Sequence, residues 1–178
     1  MNTVAVVEAF NPLGSERTWR SRAAILDLLS NHAAPFDRRS FDPGHITASA
    51  VVLSVDRTRL LLVYHRKLDR WLQPGGHVEP DDRNVIAAAR REVLEETGIT
   101  LAESGNTTLV GLDVHRIPAA GADPLHLHHD LTFGFTAREE DMAKPSGSER
   151  AVWCEIDQLD TYGVDEPLRA SLHRALSL

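Results

Sequence analysis

The stretch GGHVEPDDRNVIAAARREVLEETGI, residues 75–99, joins a glycine-rich turn to an amphipathic helix carrying clustered glutamates. Pro74, Gly75 and Gly76 make the turn, and Gly98 is a helix stop. Helix neighbours lie three and four residues apart, so Glu92, Glu95 and Glu96 share a face. At about 100° per residue, Glu95 and Glu96 fall within about 60° of Glu92, and the small Ala88 one turn earlier leaves room beside them. Like-charge pairs at this spacing cost about 0.2–0.5 kcal/mol each, a deficit that a divalent cation would reverse. Mg²⁺ prefers octahedral oxygen coordination and keeps waters, which suits two or three carboxylates on one rigid face. Gly75 and Gly76 permit backbone conformations that bring a carbonyl to the ion. Ile86, Ala89 and Val93 form an adjoining apolar stripe for packing on a sheet. Asp82 reads as the helix cap. The plain alternative is a solvated acidic face.

Outward from this stretch, the chain alternates helices and strands. Residues 15–33 place Trp19, Ala23, Ile25, Leu26 and Leu29 at helical spacing behind a Ser15 cap. Pro35 closes that helix, and 36–44 is a connector. Residues 46–55 and 59–66 are rich in β-branched and apolar residues and predict a hairpin; a short strand ends at Trp71 and Leu72. Strands are predicted over 107–117, 126–137 and 151–156, a polar loop over 138–149 and a closing helix over 165–176. Alternation in the strand at 126–137 puts His126, His128, Asp130, Thr132 and Gly134 on one face, with the mainly apolar opposite face toward the core. Strands in mixed order around one central helix predict an α/β or α+β sandwich.

Arg91, Glu92, Val93, Glu95, Glu96, Gly98 and Ile99 match R-E-U-x-E-E-x-G-U, with U aliphatic, without a gap. The chain thereby resembles the MutT-like Nudix hydrolases, whose full signature is G-x5-E-x7-R-E-U-x-E-E-x-G-U. The first half departs: Asp82 stands where Glu is expected, and eight residues instead of seven separate it from Arg91. The extra residue must sit in the loop or first turn, because an insertion inside the helix would rotate the glutamates away from Gly76. The resemblance implies the Nudix fold, a mixed β-sheet sandwiched between α-helices, with an extra N-terminal helix able to cover the fold or mediate dimerisation as a homodimer. It implies one domain over 1–178, made of an N-terminal helical extension (1–44), a Nudix core (45–160) and a C-terminal helix (161–178). It also implies Mg²⁺- or Mn²⁺-dependent pyrophosphohydrolysis of a nucleoside diphosphate linked to another group, by water attack on phosphorus. Glu92 and Glu96, with the Gly76 carbonyl, resemble the principal metal ligands, Glu95 a ligand or the water-activating base, and Arg91 the arginine that orients a signature glutamate. Glu149 resembles a late glutamate that joins the metal or acts as base, with Glu139 and Glu140 as rivals. A non-catalytic nucleotide sensor and a Nudix-fold prenyl-diphosphate isomerase are the competing classes; the retained glutamate set disfavours the isomerase.

Other residues carry weaker signals. His126, His128 and Asp130 project together, faced by Asp113 and His115 from the neighbouring strand. Such a group suits a transition metal, a substrate phosphate contact when protonated, or simply a hydrogen-bonded polar sheet face. His65 and His77 flank the glycine entrance as further substrate-contact candidates. Cys154 lies in a core strand with no motif around it, and a single cysteine excludes an intrachain disulfide and fits a reducing compartment. In a chain of 178 residues, 26 acidic against 19 basic residues give a net charge of −7 without a long basic run, so duplex nucleic acid is not an expected partner. The start, MNTVAVVEAF, lacks a basic region before a long apolar core, and no 18 apolar residues run together. A cytoplasmic protein without membrane contact is the expectation.

Overall fold

Strand β1 (Gly44–Ser54) is buried along all 11 residues, which fits its run of small and β-branched side chains. The computed structural model describes residues 2–12, 15–66, 68–102, 107–138 and 150–178. Along its whole length β1 runs parallel to β6 (His126–Ala137), from the pair Gly44 and Leu127 to the pair Ser54 and Ala137. Strand β6 in turn pairs antiparallel with β5 (Thr108–Ile117). On its other side β1 meets β2 (Arg59–His65) at its end and β4 (Gly75–His77) nearer its start, through Thr47 to Ser49. Strands β3 (Arg70–Leu72) and β7 (Arg150–Glu155) both pair with β2. The result is a mixed sheet in the order β3-β2-β1-β6-β5, with β4 beside β1 and β7 beside β2.

Helices cover both sides. Helices α1 (Thr3–Ala9), α2 (Glu16–Asn31) and α3 (Val85–Thr97) supply Val7, Phe10, Ile25, Leu28, Val85, Ala88 and Ala89 to a core built on Ile46, Ala48, Leu112, Leu131 and Phe133. Helix α4 (Glu166–Leu176) buries Leu168, Leu172 and Ala175 on Val51, Leu53, Leu60 and Leu62 opposite. Each Val, Leu, Ile or Phe side chain so buried contributes about 1.5–3 kcal/mol, and each alanine less. The expected mixed sandwich is therefore present, as are the Ser15 cap of α2 and the closing helix, capped by Asp165. Among the described residues, no helix is long and apolar enough to cross a membrane.

Four features depart from the sequence reading. Helix α1 was not expected; the Asn2 side chain caps it and Val7 anchors it in the core. Gly75 to His77, read as part of a turn, form β4, because the backbone of Thr47 to Ser49 offers ladder partners that the local sequence does not announce. The cap of α3 is Asn84, whose side chain accepts from the N–H groups of Ile86 and Ala87, both at 3.0 Å; Asp82 is not the cap. The extra residue of the signature thus lies before the helix, as its phase required. Finally, both faces of β6 are buried around Asp130 and Thr132, because the strand is central and the sheet is covered on both sides.

Gly111 on β5 tests the seating of α4. A methyl group there would collide with Ser171 Oγ and stand 3.1 Å from Ser171 Cβ and 3.2 Å from Thr132 Cβ. Gly111→Ala should destabilise the protein by about 1–3 kcal/mol, the range for overpacking a filled core. Adding Ser171→Ala should recover part of that loss, measured by denaturant unfolding. Equal stability of Gly111→Ala and the parent would show that α4 does not press on β5 here.

Candidate functional site

The glutamates of α3 occupy two environments. Val85, Ala89, Val93 and Thr97 form the fully buried line of the helix. Glu92 and Glu96 follow Ala88 along the line beside it and meet β4. A methyl group at Gly76 would lie 2.5 Å from Glu92 Oε1, so the carboxylate rests directly on the glycine backbone. The Gly75 N–H donates to Glu96 Oε2 at 3.0 Å. Glu95 points outward, with 56% of its side chain exposed against 14% for Glu92. The expected face is therefore a graded one, from buried Glu92 to exposed Glu95.

Arg91 ties these groups together. Its Nη1 donates to Glu92 Oε1 at 2.9 Å and Glu95 Oε2 at 3.1 Å. Its Nε and Nη2 grip Asp82 at 3.2 and 3.0 Å, and Nη2 also donates to the His77 carbonyl at 2.8 Å. Asp82 accepts the Glu79 N–H as well, at 2.8 Å. Asp82 is thus the arginine's anchor, which corrects its reading as a cap. Burial opposes the Arg91 charge, but the hydrogen bonds it donates to Asp82 and Glu92 hold the guanidinium above its ordinary range. Burial raises the Glu92 carboxyl, and Arg91 only partly offsets that rise. A half-buried carboxylate of this kind has a standing demand for positive charge. The donors offered are hard oxygens, which suit a divalent ion such as Mg²⁺ or Mn²⁺.

On the other side of β4 lies a cluster of imidazoles. The sequence grouped His126 and His128; the structure adds His45 and His77, with ring centroids 4.9 to 5.3 Å apart. His115 reaches His128 from β5 at 5.6 Å. His45 escaped the sequence reading although the alternation of His45, Thr47 and Ser49 was visible in HITAS. Burial lowers His45, brings His77 down to about 4 and His128 down to about 2, so these rings are neutral at pH 7. Asp130 does not open to a ligand: it is 3% exposed and accepts from Thr47 and Ser49 hydroxyls at 2.8 and 2.9 Å and from Thr132 at 3.0 Å. His126 is also buried. His65 lies apart at the end of β2, where its Nδ1 accepts the Leu68 N–H at 3.2 Å. Glu149, Glu139 and Glu140 fall outside the described residues. Cys154 is buried in β7, as expected for packing.

A second residue the sequence reading missed is Arg17. It donates to Asp113 Oδ1 through Nε and Nη2, at 2.9 and 2.8 Å, while His115 Nδ1 meets the other Asp113 oxygen at 3.0 Å. Burial works against the Asp113 charge, yet the hydrogen bonds from His115 and Arg17 hold its carboxyl below the usual range. Arg17, Arg20 and His115 line a groove of about 560 Å³ between α2 and β5, away from the glutamates of α3.

The family model described as NUDIX domain matches residues 44–176. No curated protein matches the chain. Among solved structures, the chain is similar to a MutT mutator protein from Bacillus halodurans, at 24% identity over 66% of this chain and 72% of that one, with a TM-score of 0.51. It is similar to a MutT protein from Methanosarcina mazei at 20% identity, over 74% and 92% of the two chains, with a TM-score of 0.54. The NUDIX domain of Shewanella oneidensis NrtR, solved with ADP ribose, is 12% identical over 99% of this chain and 98% of that one, with a TM-score of 0.56. At these identities the structural likeness speaks for the fold.

The imidazole environment gives a pH test. His45, His77, His128 and His129 all have lowered folded values, burial being the first cause. Below about pH 6.5 the unfolded chain takes up protons that these folded rings refuse, so protons favour unfolding. His115 has a raised value, owing to Asp113 against the opposing effect of burial, and its contribution is lost only as pH rises above the ordinary imidazole value. In chelated buffer the melting temperature should therefore fall as pH is lowered from about 6.5 toward 5. A melting temperature that stays level over that window would show the rings to be freely protonated.

Proposed function

The chain belongs to the Nudix domain family and is a pyrophosphohydrolase of the MutT-like Nudix type; we propose that it hydrolyses a nucleoside diphosphate linked to another group, with water attacking phosphorus. The observation that carries this reading is the seating of Glu92 and Glu96 against Gly76 and Gly75, with Arg91 bridging Glu92, Glu95 and Asp82. Nudix hydrolases generally use a divalent metal, and the hard oxygen donors here favour Mg²⁺ or Mn²⁺. When bound, such an ion neutralises charge on the phosphate oxygens and lowers the pKa of water.

The chain's own residues divide the remaining work. Glu92 and Glu96, with the Gly76 carbonyl, would hold the ion. Arg91 fixes Glu92 and Glu95 in one orientation, so that little reorganisation is needed as charge develops. Glu95, more than half exposed and bound through Arg91, is the carboxylate free to take a proton from the attacking water. Glu149 remains a proposed further ligand or base. Of the expected substrate contacts, His77 and His128 keep the partial exposure that contact requires, whereas Asp130 and His126 are buried.

Glu92→Gln keeps the shape and removes the charge. It should lower kcat at least about 100-fold while leaving the fold intact, as loss of a metal ligand does. Gly76→Ala should act in the same direction by displacing Glu92 from β4. The assay is phosphatase-coupled phosphate release from a panel of nucleotides and nucleotide sugars with Mg²⁺ or Mn²⁺. Unchanged turnover in Glu92→Gln would overturn the assignment, and a parent protein inert on the whole panel would point to a nucleotide sensor.

A further inference from the structure

We propose that His45, His77 and His128 form a second metal site, selective for a borderline transition-metal ion such as Zn²⁺ and distinct from the carboxylate site of α3. Each ring offers one nitrogen, and the three nitrogens lie within 4.8 Å of one another. In a tetrahedral zinc site with Zn–N near 2.0–2.1 Å, such nitrogens stand roughly 3.3 Å apart, so the rings must draw in by about 1.5 Å at most. A small rotation of His77 and His128, both only half-buried, supplies that movement.

The second observation is the state of His45. Its ring is 0% exposed, and its Nε2 has no hydrogen-bond partner among the described residues. Its Nδ1 lies 3.1 Å from the Ser40 carbonyl, an oxygen that can only accept, so Nδ1 carries the proton and Nε2 presents a lone pair. An imidazole whose outer nitrogen donates to a backbone carbonyl while the inner one is left open is the arrangement found behind metal-bound histidines. His126 shares the outer half of this arrangement: its Nδ1 lies 2.8 Å from the Pro124 carbonyl, and its ring stacks on His45. A polar sheet face held together by hydrogen bonds would not leave a fully buried acceptor unpaired.

The donor chemistry separates this site from the other. Neutral imidazoles favour zinc and its neighbours, whereas the carboxylates near Gly76 favour Mg²⁺. Three protein nitrogens leave a fourth position for water or an anionic oxygen.

The test uses the whole protein, stripped of metal and equilibrated with Zn²⁺, with bound zinc measured by elemental analysis after dialysis. About one zinc per chain is expected. His128→Ala and, separately, His77→Gln should each weaken zinc binding at least about 100-fold, the loss that removing one of three ligands entails. Glu92→Gln should keep the zinc, whatever it does to turnover. Because a His variant could fail to fold, Co²⁺ binding to the unaltered protein is read by visible absorption: intense bands of a four-coordinate ion support the site. The proposal is overturned if the parent takes no zinc, if both His variants bind it as tightly as the parent, if Glu92→Gln alone abolishes binding, or if Co²⁺ gives only the weak spectrum of a six-coordinate ion.

Discussion

Glu92 reaches the backbone of β4 only because position 76 has no side chain. A methyl group there would stand 2.5 Å from the carboxylate, and any residue but glycine would push α3 off the sheet or turn Glu92 away. The same approach brings Glu96 onto the Gly75 N–H. Both side chains are thereby held at the margin of a core, where desolvation penalises the Glu92 charge. Arg91 offsets that penalty in part, at the cost of its own desolvation, and is itself held by Asp82. What remains at Glu92 is a carboxylate that is positioned but only partly neutralised, a state a divalent ion relieves directly.

The extra residue before α3 shows how such a site tolerates change. An insertion within the helix would have rotated Glu92 and Glu96 by about 100° and broken their contact with β4. Placed ahead of the helix, it costs only loop conformation, provided Arg91 still finds its anchor. It does, because Asp82 sits in the turn where the Glu79 N–H fixes its carboxylate, and the long arginine reaches back to it. The departure from the signature and the retention of the glutamate geometry are therefore compatible.

Helix periodicity made Arg91 to Ile99 legible in the sequence, since a helix is defined by contacts four residues apart. The Ser15 cap and most of the strands were legible for the same reason, because each depends on its own local pattern. What escaped depends on distant partners. Gly75 to His77 have no strand pattern and become β4 only against Thr47 to Ser49. Asp82 looks like a cap until Asn84 takes that place and Arg91 claims the aspartate. The histidine face was half visible, because alternation along β6 groups His126 with His128. Its completion by His45 depends on the parallel pairing of β1 with β6, joining residues more than 80 positions apart.

That register also sets the chemistry of both sites. In the observed pairing, His45 faces His128, Thr47 faces Asp130 and Ser49 faces Thr132, while Thr47 and Ser49 also border His77 and Gly75 of β4. The Asp130 carboxyl is raised by burial, against the opposing effect of His115 and three hydroxyl donors, and two of those hydroxyls, on Thr47 and Ser49, reach it only from the neighbouring strand. A slip of one residue would turn His45, Thr47 and Ser49 to the apolar side and leave Asp130 buried with Thr132 of its own strand as its remaining hydroxyl donor, so the aspartate favours the register that assembles the imidazoles. Alternation along β4 then puts His77 on the imidazole side and turns Gly76 toward α3. One three-residue strand thus divides borderline nitrogen donors from hard oxygen donors, and an ion suited to one group has little reason to occupy the other.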